Sequence, residues 1–143
     1  MRSTVAAAVM VAALILGGCA DATVSTTSGP TASSAPAAGS SLSPAAFAAA
    51  AKLPNTVLLD VRTPAEFAQG HITGAVNVDV EASNFAQKAA ALDRTKNYAV
   101  YCRSGNRSKT AMSALQKAGV GHVFDLAGGI TAWQSSGGPV VTS

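Results

Sequence analysis

Between Val57 and Trp133 short apolar runs alternate with helix-forming stretches, and that alternation most restricts the folds open to this chain. Val57-Leu58-Leu59-Asp60-Val61 is a short run flanked by turn residues, as a buried strand requires. Thr63-Pro64-Ala65-Glu66 follows at once. A threonine cap with glutamate three residues on is a capping box, and Gly70 closes the single helical turn. Ala75 to Val78 reads as another short strand, and Phe85, Ala89 and Leu92 fall at helical spacing within about 83–92. Tyr98-Ala99-Val100-Tyr101-Cys102 is the clearest strand. Ser108 to Ala118 reads as a helix ended by Gly119, His122 to Leu126 as a further strand, and Ile130 to Trp133 as the opening of a last helix. Upstream, Ser43-Pro44 supplies a cap and a first-position proline for a helix ending near Lys52. Strands alternating with helices at these lengths predict an α/β fold. The expectation is one domain over 43–143, with a parallel β-sheet flanked by helices on both faces.

The N-terminus reads as an address. Residues 1–18 carry one positive charge, then an uncharged, mostly apolar run of about fifteen residues, short of the roughly 20 that a transmembrane helix needs. The run ends in Leu16-Gly17-Gly18-Cys19, which resembles the bacterial lipoprotein signal. That resemblance implies that Cys19 takes a diacylglyceryl group and becomes the new N-terminus after cleavage. The expected location is therefore the bacterial cell envelope, outside the cytoplasm, lipid-anchored to the membrane. An ordinary secretory signal with an incidental Cys19 is the alternative. Residues 19–42 are built from Ala, Ser, Thr, Gly and Pro and lack the apolar surface to offset their ordering entropy, so a disordered linker is predicted. As a flexible coil it would span roughly 25–30 Å.

Ten basic residues stand against seven acidic ones, Arg2 among the basic, and that near-balance predicts no nucleic-acid footprint. Cys19 and Cys102 form no CxxC, and His71 and His122 lie far apart. Neither a disulfide framework nor a zinc cluster is indicated, and no metal or cofactor is expected.

The chemical signal is Cys102-Arg103-Ser104-Gly105-Asn106-Arg107-Ser108. It follows an apolar strand and opens into a helix, and ligands in open α/β sheets bind at the carboxyl ends of strands. A small residue and a glycine let the loop curl so that backbone N–H groups face inward beside a helix N-terminus, a nest that stabilises anions. The same nest favours a thiolate, the nucleophilic form of cysteine. Arg103 and Arg107 add positive charge, and an arginine fork can hold an oxyanion at two points. No histidine is near in sequence, and no second cysteine in the folded part could resolve a disulfide. Attack on sulfur and attack on phosphorus remain.

The string CRSGNRS resembles the active-site loop of the rhodanese family. Leu59-Asp60-Val61-Arg62, Glu66-Phe67, Gly70-His71-Ile72, Gly74-Ala75 and Asn77 are similar to its N-terminal signature, and Gly128-Gly129 with Trp133 to its C-terminal one. The likeness is to single-domain thiosulfate sulfurtransferases, and it implies an α/β fold and sulfur carried as a cysteine persulfide. Family members that act on sulfur have a six-residue loop from cysteine to arginine, whereas the similar phosphatases and arsenate reductases have one residue more. Cys102 to Arg107 counts six. Fewer inward amides ring a smaller anion, and a tetrahedral phosphate would be crowded.

The resemblance thus implies that Cys102 attacks the outer sulfur of a donor such as thiosulfate, and that a thiol or cyanide then takes that sulfur. Arg103, Ser104, Gly105, Asn106 and Arg107 would hold the substrate. Arg103 is the expected direct contact, while Arg107 either binds substrate or braces the loop through an acidic side chain. Asp60 and Arg62 are expected as supports, with Arg62 free to pair with Glu66 or to form a weak surface ion pair. His71 is expected to bond backbone and Trp133 to pack in the core. Three other roles stay open: an envelope persulfide carrier with little turnover, a phosphatase or arsenate reductase, and an interaction module without chemistry. A sulfur-accepting protein partner is not identified by the sequence.

Overall fold

A computed structural model describes residues 34–143. In chain order its elements are β1 (Ser41–Leu42), α1 (Pro44–Ala51), β2 (Thr56–Asp60), α2 (Pro64–Gln69), β3 (His71–Ile72), β4 (Val76–Asn77), α3 (Phe85–Ala90), β5 (Asn97–Tyr101), α4 (Asn106–Lys117), β6 (His122–Leu126), α5 (Gly129–Ser135) and β7 (Val140–Val141). Five strands make one sheet in the order β1-β6-β5-β2-β4, every pair parallel, and β3 with β7 form a separate antiparallel pair. This is the α/β architecture that the alternation of runs predicts.

Strand side chains alternate between faces, and the alternation divides the core in two. Tyr98, Val100 and Cys102 join Leu59, Val61 and Val123 on one face, covered by Phe85 and Ala89 of α3 and by Ala111, Met112 and Leu115 of α4. Ala99 and Tyr101 join Leu58, Phe124 and Leu126 on the other, covered by Phe47 and Ala50 of α1 and by Ile130 and Trp133 of α5. Both faces are buried, so the central strands read as nearly continuous apolar runs. The same period of two points Cys102 toward α4.

The expected lipoprotein signal with Cys19, and most of the expected linker, lie outside the described residues. The C-terminal end of that linker differs from expectation. Ser41–Leu42 is an edge strand paired with Asp125 and Leu126, preceded by a Gly39 amide that donates to the Val123 carbonyl. Backbone hydrogen bonds to β6 hold this strand, so a two-residue element forms where the composition offers no apolar run. The helix expected from Ser108 begins at Asn106, because Gly105 at its N-cap turns the chain with φ +101°. His71–Ile72, for which the sequence offers no strand signal, is strand β3.

Candidate active site

Cys102 follows β5 immediately and is 1% exposed. Its sulfur accepts a hydrogen bond from the Gly105 amide at 3.1 Å and lies 3.8 Å from the Ser108 hydroxyl. Gly105 and Ser108 are buried, whereas Arg103, Ser104 and Asn106 are exposed. Among the described residues no side chain caps α4, whose N-cap is Gly105. The orphan N–H groups of that twelve-residue helix therefore open onto the loop.

A second segment clamps the loop from the far side. The first amides of α5 reach its carbonyls: Ile130 N–H donates to Cys102 O at 2.9 Å, and Thr131 N–H to Arg103 O at 3.2 Å. The Thr131 hydroxyl adds a bond to the same Arg103 oxygen at 3.0 Å. So close an approach needs Gly129, whose φ is +60°. A Cβ there would stand 2.5 Å from the Cys102 and Arg103 carbonyl oxygens. The Gly-Gly and Trp133 of the C-terminal signature thus have separate tasks. The glycines admit the loop, while Trp133 is buried and anchors α5 by donating Nε1–H to Pro139 O at 2.9 Å.

The loop's two arginines differ. Arg107 makes a two-pronged bond to Glu66, with both nitrogen–oxygen distances 2.7 Å, and reaches Glu81 at 3.0 Å. The bonds from Arg107 pull the Glu66 carboxyl down to about 2, against its burial and with help from Thr63. The reciprocal bonds hold the Arg107 guanidinium protonated, above its ordinary value. Arg103 is exposed and makes no ion pair among the described residues. Of the two readings open for Arg107, the acidic pairing is therefore present.

Asp60 and Arg62 sit at the end of β2, beside β5. The expected Arg62–Glu66 pair does not form, and the support is not on the surface. Arg62 Nη2 lies 2.5 Å from Asp60 Oδ2, with both side chains buried. Its Nε–H and backbone N–H also bond Asp60, and Nη2 donates to Gly70 O at 2.7 Å. Burial works against the Arg62 charge, but the Asp60 bonds outweigh it and raise the group above its ordinary value. The i,i+4 geometry fails because α2 begins at Pro64, leaving Arg62 outside the helix. Asn77 secures the turn by donating to the Asp60 and Arg62 carbonyls. His71 Nδ1 meets Phe67 O at 3.0 Å, and its ring stacks on Phe67.

A polar cavity of about 310 Å³ borders the loop, lined by Arg62, Glu66, Gln69, Arg103, Thr131 and Gln134 among others. A larger one of about 750 Å³ runs along α1 past Leu58, Ile72 and Trp133. It is mainly apolar and includes no residue of the Cys102 loop, whereas Arg103 of that loop walls the smaller one. Among the described residues no cluster of His, Cys, Asp and Glu could hold a metal ion.

Sequence reasoning passed over Ser108, Asp125, Gln69, Gln134 and Thr131. Asp125 carried a signal: an acidic residue in the otherwise apolar run of β6. Ser108 ends the quoted loop string with no role read for it, and Gln69, Thr131 and Gln134 lie on helices α2 and α5 with nothing local to mark them.

The Rhodanese-like domain family model matches residues 43–136. The chain is 40% identical over 87 residues to a protein named Sulfurtransferase from Allochromatium vinosum, covering 61% of this chain and 79% of that one. It is 41% identical over 91 residues to the chloroplastic Thiosulfate sulfurtransferase 16 of Arabidopsis thaliana, covering 57% and 76%. The crystal structure of a rhodanese-related protein from Thermoplasma volcanium superposes with a TM-score of 0.64 at 36% identity, covering 73% of this chain and 99% of that chain.

Proposed function

The chain belongs to the rhodanese family, and on that premise we propose that it is a sulfurtransferase that passes a sulfane sulfur from thiosulfate or a related donor to cyanide or a thiol through a persulfide on Cys102. The observation that carries this reading is a buried cysteine facing a helix N-terminus that no side chain caps. The Cys102 thiolate attacks the outer sulfur of thiosulfate, a new S–S bond forms, and the old one breaks with its electron pair leaving on sulfite. The charged terminal sulfur rests among the loop amides from Arg103 to Arg107, where Gly105 N–H already meets the cysteine sulfur. Cyanide then attacks that sulfur, thiocyanate departs and the thiolate returns. Arg103, free of any ion pair among the described residues, receives the donor's oxyanion. Ser104 and Asn106 shape the loop, and Arg107 braces it through Glu66.

Two half-reactions on one cysteine require ping-pong kinetics. Double-reciprocal plots of thiocyanate formation should be parallel, and Cys102→Ser should abolish turnover. Intersecting lines would contradict a covalent intermediate. We extend the proposal to location: the Leu16-Gly17-Gly18-Cys19 signal supports a lipid anchor at Cys19 that holds the domain outside a bacterial membrane. Metabolic labelling with a fatty-acid analogue should mark the protein and fail with Cys19→Ala; equal labelling of both would overturn the anchor.

A further inference from the structure

Asp125 is fully buried and plays no part in the chemistry above. It belongs to no ion pair among the described residues. One carboxylate oxygen accepts from the Ser41 hydroxyl of β1, and the other lies 2.7 Å from the Ser108 hydroxyl of α4. In the sheet its neighbours are Ser41 on one side and Val100 on the other. Among the described residues, hydroxyl groups are thus the only side chains that its carboxylate oxygens meet.

We propose that Asp125, acting through Ser108, takes the proton from the Cys102 thiol, so that the fold supplies a base to a nucleophile that has no histidine. The three groups form one line. Cys102 and Asp125 project from adjacent parallel strands toward α4, and Ser108 in its first turn stands between them. Ser108 has a single hydrogen, and a carboxylate is its strongest acceptor, so its oxygen is left facing the thiol at 3.8 Å. As the S–H bond breaks, the thiol proton joins Ser108 Oγ and the Ser108 hydrogen passes to Asp125 Oδ2. One proton moves, and the negative charge goes from carboxylate to sulfur, where Gly105 N–H and the start of α4 meet it. The new Asp125 O–H then donates to Ser108, whose own hydrogen has a ready acceptor in Gly105 O at 2.9 Å. Partners thus exist for every hydrogen in both states. Ser108 touches the reacting sulfur, and Asp125 is a positioning residue that works through it.

The purpose of this relay rests on the sulfur-transfer reading, but its test does not. Iodoacetamide traps free thiolate with no sulfur donor present. Near neutral pH, Ser108→Ala and Asp125→Asn should each slow alkylation of Cys102 by about tenfold or more, as loss of a general base does. The double variant should be no slower than either single one, and Ser108→Thr should restore the rate. In turnover, cyanide regenerates the thiolate, so kcat/KM for thiosulfate should fall while that for cyanide stays within about twofold of the parent. Parent-like alkylation in Asp125→Asn, or additive losses in the double variant, would overturn the proposal. Should Asp125→Asn not fold, equal alkylation of Ser108→Ala and Ser108→Thr would overturn it instead. A parent that alkylates readily but takes no sulfur from thiosulfate would refute thiosulfate as donor and leave the relay standing.

Discussion

β2 and β5 are parallel neighbours that end side by side, with Asp60 opposite Tyr101, and each runs through a short turn into a helix. The two ends are finished in opposite ways. After β2 every strong group finds a partner: Asp60 holds Arg62, Arg62 reaches Gly70, and Thr63 with Glu66 closes a complete capping box on α2. After β5 the partners are withheld. Among the described residues α4 has no side-chain cap, Arg103 has no carboxylate partner, and Cys102 has one amide. One strand end is a finished joint and the other a site with bonds left to make. The first is satisfied within itself and sets Arg62 at the cavity wall.

That contrast can be broken from either side, and the largest expected effect is on the open end. Cys102→Ser should remove all measurable turnover, a loss of more than about 4 kcal/mol of barrier lowering if the residual rate is under a thousandth, with the urea midpoint little changed. Retained turnover would move the chemistry elsewhere. Next comes the closed end. Arg62→Ala strands a buried carboxylate and should cost about 3–5 kcal/mol in urea unfolding; a loss below about 1 kcal/mol would make the joint an ordinary surface pair. Gly129→Ala drives a Cβ into the loop carbonyls at a positive φ. It should cost about 2–3 kcal/mol and lower activity as the clamp on Cys102 slips.

Smaller effects sharpen the comparison. Arg103→Ala should leave stability within about 0.5 kcal/mol. It should raise KM for thiosulfate about tenfold, as loss of one charge-assisted contact does. Glu66→Gln bridges the two ends, since Glu66 caps α2 and braces Arg107 of α4. The pair is partly exposed, so about 1 kcal/mol is expected at neutral pH. The sign follows from the depressed carboxyl. Its value is about 2 in the folded chain against 4.5 otherwise, so the contribution is complete above 4.5 and fades as pH falls toward 2. Parent and variant unfolding curves should converge across that window.

The extent to which this was legible tracks how local each signal is. The strands β2, β5 and β6 fall within one residue of where their apolar runs place them, because such patterning is written within a few residues. β1, β3 and β7 are two residues each and have no period to detect. Cys102 and its loop announced themselves because strand, nucleophile and helix follow one another in sequence. The partners did not. Arg107 meets Glu66 across 41 residues and Ser108 meets Asp125 across 17, and only the parallel order of the sheet brings those pairs together. Arg62 misled for a related reason: helical spacing to Glu66 has no meaning for a residue two positions before the helix begins.

The central claim is that Cys102 carries the transferred sulfur, and intact mass spectrometry of the whole chain after thiosulfate treatment tests it most directly. The expected result is a gain of one sulfur atom, absent from Cys102→Ser and removed by cyanide with release of thiocyanate. A parent chain that keeps its mass, or a Cys102→Ser chain that gains the same sulfur, would contradict the account.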